Sequence, residues 1–227
     1  EIADRDWSSD VCSSDLSGTT LLDTLLMGHP DVSVLEERPP ISVVERTLGS
    51  LDRLPELDAA EIHSLRGVYF EEAERYAPID GKLLVDKFPL HLNKVPIIRR
   101  LFPDAKFILA LRHPCDAVLS CFITNFRLNN AMANCVDLQK TAELYDVSFG
   151  FWQKASELLH VPVHPVRYEN MVEDVEGELR PLFDYLDLDW NEAALDHQHT
   201  AQNRGTITTA SYAQVTEPIY QRSAGRW

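Results

Sequence analysis

The fold is decided by residues 17–37, which read SGTTLLDTLLMGHPDVSVLEE. Four leucines in this stretch share one helix face: Leu21, Leu22, Leu25 and Leu26. Gly28 and Pro30 supply a stop for that helix, and residues 32–35 are partly β-branched, which predicts a short strand entering an acidic loop. The stretch therefore predicts a helix that begins directly after a loop and leads into a strand, which is a unit of an α/β fold.

The loop before this helix is the first candidate for a binding site. Its residues Ser17, Gly18, Thr19 and Thr20 can present backbone N–H groups and hydroxyls to an anion at the positive end of the helix dipole. A simple Ser/Thr helix cap with glycine in a turn explains these four residues equally well. A Walker A loop requires GxxxxGK[ST], and Thr19 stands where the lysine would be, so a nucleoside triphosphatase is disfavoured.

The order of strand, turn and helix recurs along the rest of the chain. The predicted strands are residues 83–85, 106–111 and 161–168. The predicted helices are residues 95–101, 141–159 and 178–186, one that starts after Pro114, and two within residues 41–76 that form a lid or substrate wall. This alternation predicts an α/β fold with a mainly parallel central sheet flanked by helices, whose ligands bind at the carboxyl ends of the strands.

Charge and composition restrict the function further. The chain has 227 residues and a formal net charge of −15 spread over its length, which argues against binding to nucleic acid or to an anionic membrane. The four cysteines show no CxxC spacing, which disfavours metal binding and favours a reducing compartment. No apolar run approaches the roughly 20 residues that a membrane span requires. We therefore predict a cytoplasmic protein with one main domain.

Residues 1–16 differ from the rest of the chain. They read EIADRDWSSDVCSSDL, show no helical or strand periodicity, and repeat SSD on both sides of Val11 and Cys12. Residues 6–16 resemble the in-frame translation of a common short-read sequencing adapter. We predict that residues 1–16 are a non-native leader and that the domain comprises residues 17–227. A disordered leader rich in serine and aspartate is the alternative.

Three segments read together resemble the PAPS-dependent sulfotransferases, where PAPS is 3′-phosphoadenosine 5′-phosphosulfate. They are residues 17–37, DKFP at residues 86–89 and LRHPCDAVLSCF at residues 111–122. The resemblance is to the branch that contains protein-tyrosine sulfotransferases and bacterial sulfotransferases fused to tetratricopeptide repeats. It implies a P-loop-type three-layer fold and transfer of a sulfuryl group from PAPS to a hydroxyl or phenol, with PAP as product and no metal. Missing N-terminal repeats and an incomplete C-terminus are also expected.

The resemblance assigns the chemistry to two residues. Glu37 matches the general base that removes the proton of the acceptor, a role suited to a carboxylate in a partly desolvated cleft; Glu36 is the less favoured occupant. Lys87 matches the lysine that offsets charge on the leaving phosphate. The residues alone leave open that the acidic pair is a solvated loop and that the lysine is a surface residue before a turn.

The resemblance also assigns donor binding, starting with the phosphosulfate loop at Ser17, Gly18, Thr19 and Thr20. Arg112 and Ser120 match the pair that binds the 3′-phosphate, for which a planar guanidinium is suited. The other matching residues are Tyr168 near the nucleotide and, in a late covering segment, Ser211, Tyr212, Gln214 and Arg226.

The sequence departs from the family pattern at two places. Asp15 and Leu16 replace the Pro and Arg that precede the loop, and Thr124 replaces a frequent arginine beyond Ser120. The first departure removes a cation, adds a negative charge and implies that the first strand is missing. We therefore expect PAPS binding that is weaker than in a variant with Pro and Arg restored.

Two other classes of protein stay open at this point. A small-molecule kinase of the P-loop superfamily is disfavoured by the missing GK[ST] element and by the lack of an evident Mg²⁺ carboxylate. A non-catalytic module that binds PAP or PAPS would not depend on Glu37. His197 and His199 lack further metal ligands at suitable spacing and are expected to be solvated. Cys115 and Cys121 are expected to be small packing residues.

Overall fold

A computed structural model of the chain describes residues 9–13, 18–124, 132–203, 216–219 and 224–227, with the backbone alone for residues 9–13 and 132. The strands in these residues are β1 (Ser9–Ser13), β2 (Val32–Glu36), β3 (Leu83–Phe88), β4 (Lys106–Leu111) and β5 (Val163–Arg167). They form one sheet in the order β2-β3-β1-β4-β5, and each described pairing is parallel. The predicted α/β fold with a parallel central sheet is confirmed.

Helices cover both faces of this sheet. They are α1 (Thr19–Met27), α2 (Pro40–Leu48), α3 (Ala59–Ala73), α4 (Val95–Leu101), α5 (Pro114–Ile123), α6 (Leu138–Leu158), α7 (Tyr168–Glu173), α8 (Val175–Tyr185) and α9 (His197–Asn203). On β4, Phe107 and Leu109 belong to a core shared with α2, α3, α4 and α6. The alternate residues Ile108 and Ala110 belong to a second core shared with α1, α7 and α8. This alternation along a buried strand gives three layers, with a core on each side of the sheet.

The central strand is an element that the sequence did not predict. β1 pairs with β3 from Ser9 opposite Val85 and with β4 from Ser9 opposite Lys106. The expectation that the first strand is missing is therefore wrong. Strand pairing uses backbone groups, and two flanking strands can order a segment whose side chains carry no strand pattern. That residues 1–16 are a non-native leader stays a prediction, because it concerns their origin.

Element boundaries matter where they carry candidate residues. β3 continues through Phe88, so Asp86 and Lys87 lie inside the strand and not after it. Tyr168 is the first residue of α7 and not the end of a strand. The predicted bounds of α4 and β4 are confirmed, as are two helices, α2 and α3, in the segment from about residue 41 to residue 76, although α2 begins at Pro40. In the part of the chain that the structure describes, no helix is both long enough and apolar enough to cross a membrane.

Candidate active site at the carboxyl ends of the strands

Gly18 forms a close contact between the loop before α1 and the start of α7. Its backbone has φ 85° and ψ 10°, and a Cβ atom at this position would lie 2.3 Å from Cδ2 of Tyr168. Both the left-handed backbone and the neighbouring ring therefore require glycine. Thr19 and Thr20 are buried at the start of α1, where the first N–H groups have no acceptor within the helix. The loop thus has the form of an anion-binding element.

Tyr168 also contacts Arg112, the residue that follows β4. The guanidinium carbon of Arg112 lies 5.0 Å from the centre of the Tyr168 ring, and both side chains are buried. The N–H of His113 donates to Oε1 of Glu169 at 2.8 Å, which fixes the loop after β4 to the start of α7. One tyrosine ring therefore brings together two residues that were assigned to the donor. We call Gly18, Arg112 and Tyr168 the ring cluster.

Ser120 lies in α5, the helix that follows Arg112. Its side chain is buried, and its carbonyl accepts hydrogen bonds from the N–H of Thr124 at 3.1 Å and from the Thr124 hydroxyl at 2.7 Å. Thr124, which stands where the family frequently has arginine, thus bonds to the end of α5.

Lys87 is surrounded by three carboxylates. Its Nζ lies 3.0 Å from Glu37 Oε1, 3.3 Å from Asp23 Oδ2 and 3.6 Å from Glu36 Oε1. The side chains of Lys87 and Asp23 are 0% exposed, that of Glu36 is 11% exposed and that of Glu37 is 33% exposed. Asp23 is therefore at the closed end of this group and Glu37 at the open end. We call these four residues the lysine cluster.

The charge of Lys87 follows from these neighbours. Burial by itself lowers the pKa of a lysine, because it penalises the ammonium ion. At Lys87 the negative charges of Asp23, Glu37 and Glu36, with the hydrogen bond to Glu37, outweigh burial and raise the pKa above its ordinary value. Lys87 is therefore an ammonium ion throughout the neutral pH range.

The backbone of Glu37 is fixed to the same strand as Lys87. Its N–H donates to the carbonyl of Lys87 at 2.8 Å, and its φ is 50°. A non-glycine residue in this left-handed region is uncommon, and such conformations concentrate at functional sites. Main chain and side chain together hold the Glu37 carboxylate beside the ammonium of Lys87.

The last residues of the chain dock on the start of α5. The carboxylate of Asp116 accepts hydrogen bonds from the N–H of Gly225 at 2.6 Å and from the N–H of Arg226 at 2.8 Å. The Trp227 ring stacks on His113, with 4.4 Å between the ring centres. The structure thus places Arg226 near the loop that carries Arg112.

Several candidate residues lie outside the described residues. They are Ser17, Ser211, Tyr212 and Gln214. The two substitutions before the loop, Asp15 and Leu16, lie outside them as well.

Two minor predictions are wrong in part. His197 is buried and not solvated, and its Nε2 lies 3.0 Å from the carbonyl of Glu217, a contact between residues distant in sequence. His199 is exposed, as expected for a solvated histidine. Cys121 is buried, as expected for a packing residue, whereas Cys115 is exposed. Within the described ranges, no group of three or more His, Cys, Asp or Glu side chains could hold a metal ion.

Asp23 is the site residue that the sequence did not single out. Its side chain is fully buried in α1, where Leu22, one position before it, and Leu25, two positions after it, are core leucines. An acidic residue among the core leucines of a helix is a signal that could have identified it, because a buried charge needs a partner.

The parallel sheet and the glycine loop at the start of α1 give an α/β fold of the P-loop type. The model of the sulfotransferase family matches residues 11–192, and the chain belongs to this family. Among solved structures, the sulfotransferase domain from the curacin biosynthetic pathway is similar with a TM-score of 0.66 and 19% identity, over 98% of this chain and 90% of that one. The sulfotransferase domain of the Synechococcus PCC 7002 olefin synthase has a TM-score of 0.62 and 20% identity, over 100% and 90%.

Curated relatives are longer than this chain. Protein-tyrosine sulfotransferase 1 of Danio rerio is 25% identical over 93% of this chain and 62% of its own length. An uncharacterized protein of Aquifex aeolicus (strain VF5) is 25% identical over 93% of this chain and 29% of its own length. The chain thus spans less than two thirds of these relatives.

Proposed function

We propose that this chain transfers a sulfuryl group from PAPS to a hydroxyl or phenol, with Glu37 as the general base. The observation that carries the proposal is the contact of 3.0 Å between the Lys87 ammonium and the Glu37 carboxylate. Glu37 directly follows β2 and Lys87 is the penultimate residue of β3, so both lie at the edge where parallel sheets bind ligands. The base can accept the proton of the acceptor oxygen, and the cation can stabilise the charge on the oxygen that leaves with the phosphate of the donor.

The ring cluster and the loop supply the donor side of the proposed site. Backbone N–H groups at the start of α1 suit the phosphosulfate, and Arg112 suits the 3′-phosphate because its planar donors match phosphate oxygens. Ser120, on the helix after Arg112, is proposed as the second 3′-phosphate ligand. Arg226 adds a cation from the segment docked on Asp116. Ser17, Ser211, Tyr212 and Gln214 keep the donor-binding roles that the resemblance implies.

The lysine cluster supplies the chemistry. As the acceptor oxygen bonds to sulfur, Glu37 takes the proton of that oxygen, and the bond between sulfur and the bridging oxygen of the donor breaks. The electron pair of that bond stays on the leaving phosphate of PAP, where Lys87 offsets the charge. The products are a sulfate ester, PAP and a proton held by Glu37.

The contact between Glu37 and Lys87 must open for this reaction. A carboxylate bonded to an ammonium is a poor base, and an ammonium bonded to a carboxylate is less available to a phosphate. Glu37 is the more exposed partner, with 33% of its side chain accessible against 0% for Lys87. We therefore assign the movement to Glu37, which turns toward the acceptor while Lys87 stays in place.

The acceptor class and the setting of the protein are parts of the same proposal. A tyrosine phenol is the first acceptor to test, because several relatives are named protein-tyrosine sulfotransferases. A cytoplasmic location is supported by Cys115, Cys121 and Cys135, which form no disulfide with one another. Tetratricopeptide repeats elsewhere in a longer protein stay a proposal.

The experiment is transfer of labelled sulfate from PAPS to a panel of phenols, sugars and tyrosine peptides. The expected result is label in a sulfate ester of one acceptor class together with an equal amount of PAP. Binding of PAP without transfer to any acceptor would favour the non-catalytic module instead. Phosphate transfer from ATP in a parallel reaction would favour the kinase.

A further inference from the structure

An ion pair between Asp23 and Lys87 links α1, the helix that follows the glycine loop, to β3. Its Oδ2 lies 3.3 Å from Nζ of Lys87, and both side chains are fully buried. Asp23 lies on α1, whose first turn carries the N–H groups of Thr19 and Thr20. The contact therefore connects the cation to the element proposed to hold the phosphosulfate.

The burial of this pair has a physical cost. Moving two charges out of water is unfavourable, and a buried ion pair is often no more stable than an apolar pair of similar size. Stability alone therefore gives a weak reason for a charged pair at this position. A cation needed at a fixed point next to a ligand gives a stronger one, because preorganised charges stabilise a transition state without further reorganisation.

The three carboxylates differ in what they can do for Lys87. Glu37 is the most exposed and, in the proposed reaction, becomes neutral when it takes the proton of the acceptor. Glu36 is the most distant, at 3.6 Å. Asp23 is the carboxylate that combines full burial with a position on the loop helix.

We propose that Asp23 is a positioning residue, which holds the Lys87 ammonium against α1 when Glu37 releases it. The proposal rests on the proposed function, because it concerns the same reaction. Asp23 does not touch the donor or the acceptor and acts through Lys87. The raised pKa of Lys87, to which the charge of Asp23 contributes, agrees with this role.

The first test is the neutral variant Asp23→Asn, which keeps the size of the side chain and removes its charge. We expect kcat to fall about 30-fold, within the range for loss of one electrostatic contact, while the KM for PAPS changes less than about threefold. The matched control is Tyr69→Phe. It removes the hydrogen bond of 2.9 Å from Tyr69 to the buried carboxylate of Asp86, the neighbour of Lys87, and leaves the contacts of Lys87 with Asp23, Glu36 and Glu37 intact. It should lower stability and leave kcat unchanged.

A second background separates positioning from misfolding. In a Lys87→Gln protein the charge that Asp23 holds is gone, so adding Asp23→Asn should change kcat by less than about threefold. In this double variant both positions carry a neutral amide, so neither leaves an unpaired buried charge. Equal effects of Asp23→Asn in the two backgrounds would overturn the proposal.

A third measurement does not depend on turnover. In protein labelled at lysine ¹³Cε, the Lys87 resonance should titrate at lower pH in Asp23→Asn than in the wild type, because a neighbouring negative charge is lost. Tyr69→Phe should not move that titration. An unchanged Lys87 titration in Asp23→Asn would overturn the role of Asp23 even in an active enzyme. Absence of sulfate transfer by the wild type would instead overturn the proposed function.

Discussion

The two halves of the candidate site are held in different ways. The lysine cluster is held by charge, with three carboxylates within 3.6 Å of one buried ammonium. The ring cluster is held by packing, with the Tyr168 ring against the backbone of Gly18 and beneath the guanidinium of Arg112. The two halves are therefore expected to act on different steps of the reaction. Changes of charge in the first half should act on the chemical step, and changes of shape in the second should act on donor binding.

The largest effect is expected from Lys87→Met, which removes the cation from the lysine cluster. We expect kcat to fall about 10³-fold through loss of transition-state stabilisation. The variant also leaves Asp23 buried without its cation, so the free energy of unfolding should fall by about 3 kcal/mol. Steady-state kinetics and urea unfolding check the two effects. A variant with near-normal kcat would show that the lysine cluster does not carry the chemistry.

A smaller effect is expected from Gly18→Ala in the ring cluster. The added methyl would meet the Tyr168 ring at 2.3 Å in a left-handed backbone, so the loop must shift. We expect PAP to bind about tenfold more weakly, which corresponds to about 1.4 kcal/mol. Calorimetric titration with PAP measures this change. If the loss appeared in kcat at saturating PAPS and not in PAP affinity, the division between the two halves would fail.

The smallest effect is expected from Asp116→Asn, at the edge of the ring cluster. One of the two hydrogen bonds that dock Gly225 and Arg226 is lost, because the amide keeps a single acceptor oxygen. We expect PAP affinity to fall about threefold, with kcat unchanged. Calorimetric titration with PAP measures this change. An affinity equal to that of the wild type would show that the docked residues do not contribute to donor binding.

The sequence predicts those parts of the fold whose signal is local. The apolar run KFILAL gives β4 with its observed bounds, and the leucine pattern gives α1, because periodicity and stop residues act over neighbouring positions. β1 was missed because its order comes from β3 and β4 on either side. The sequence of such a strand shows little hydrophobic periodicity of its own.

The candidate site shows the same limit. The sequence resemblance selected Glu37 and Lys87, but their contact joins residues 50 positions apart and becomes visible only when β2 and β3 are paired. Asp23 was missed for a related reason. Its role depends on a lysine in another element, and nothing in the local pattern of α1 names that partner.

The most direct test of the division between the two halves compares kcat and PAP affinity in Glu37→Gln with the wild type. The amide cannot take the proton of the acceptor, and the ring cluster is untouched. We predict that kcat falls about 10³-fold while PAP affinity stays within about threefold of the wild type. A variant that retains its kcat, or that loses PAP affinity in proportion to kcat, would contradict the account.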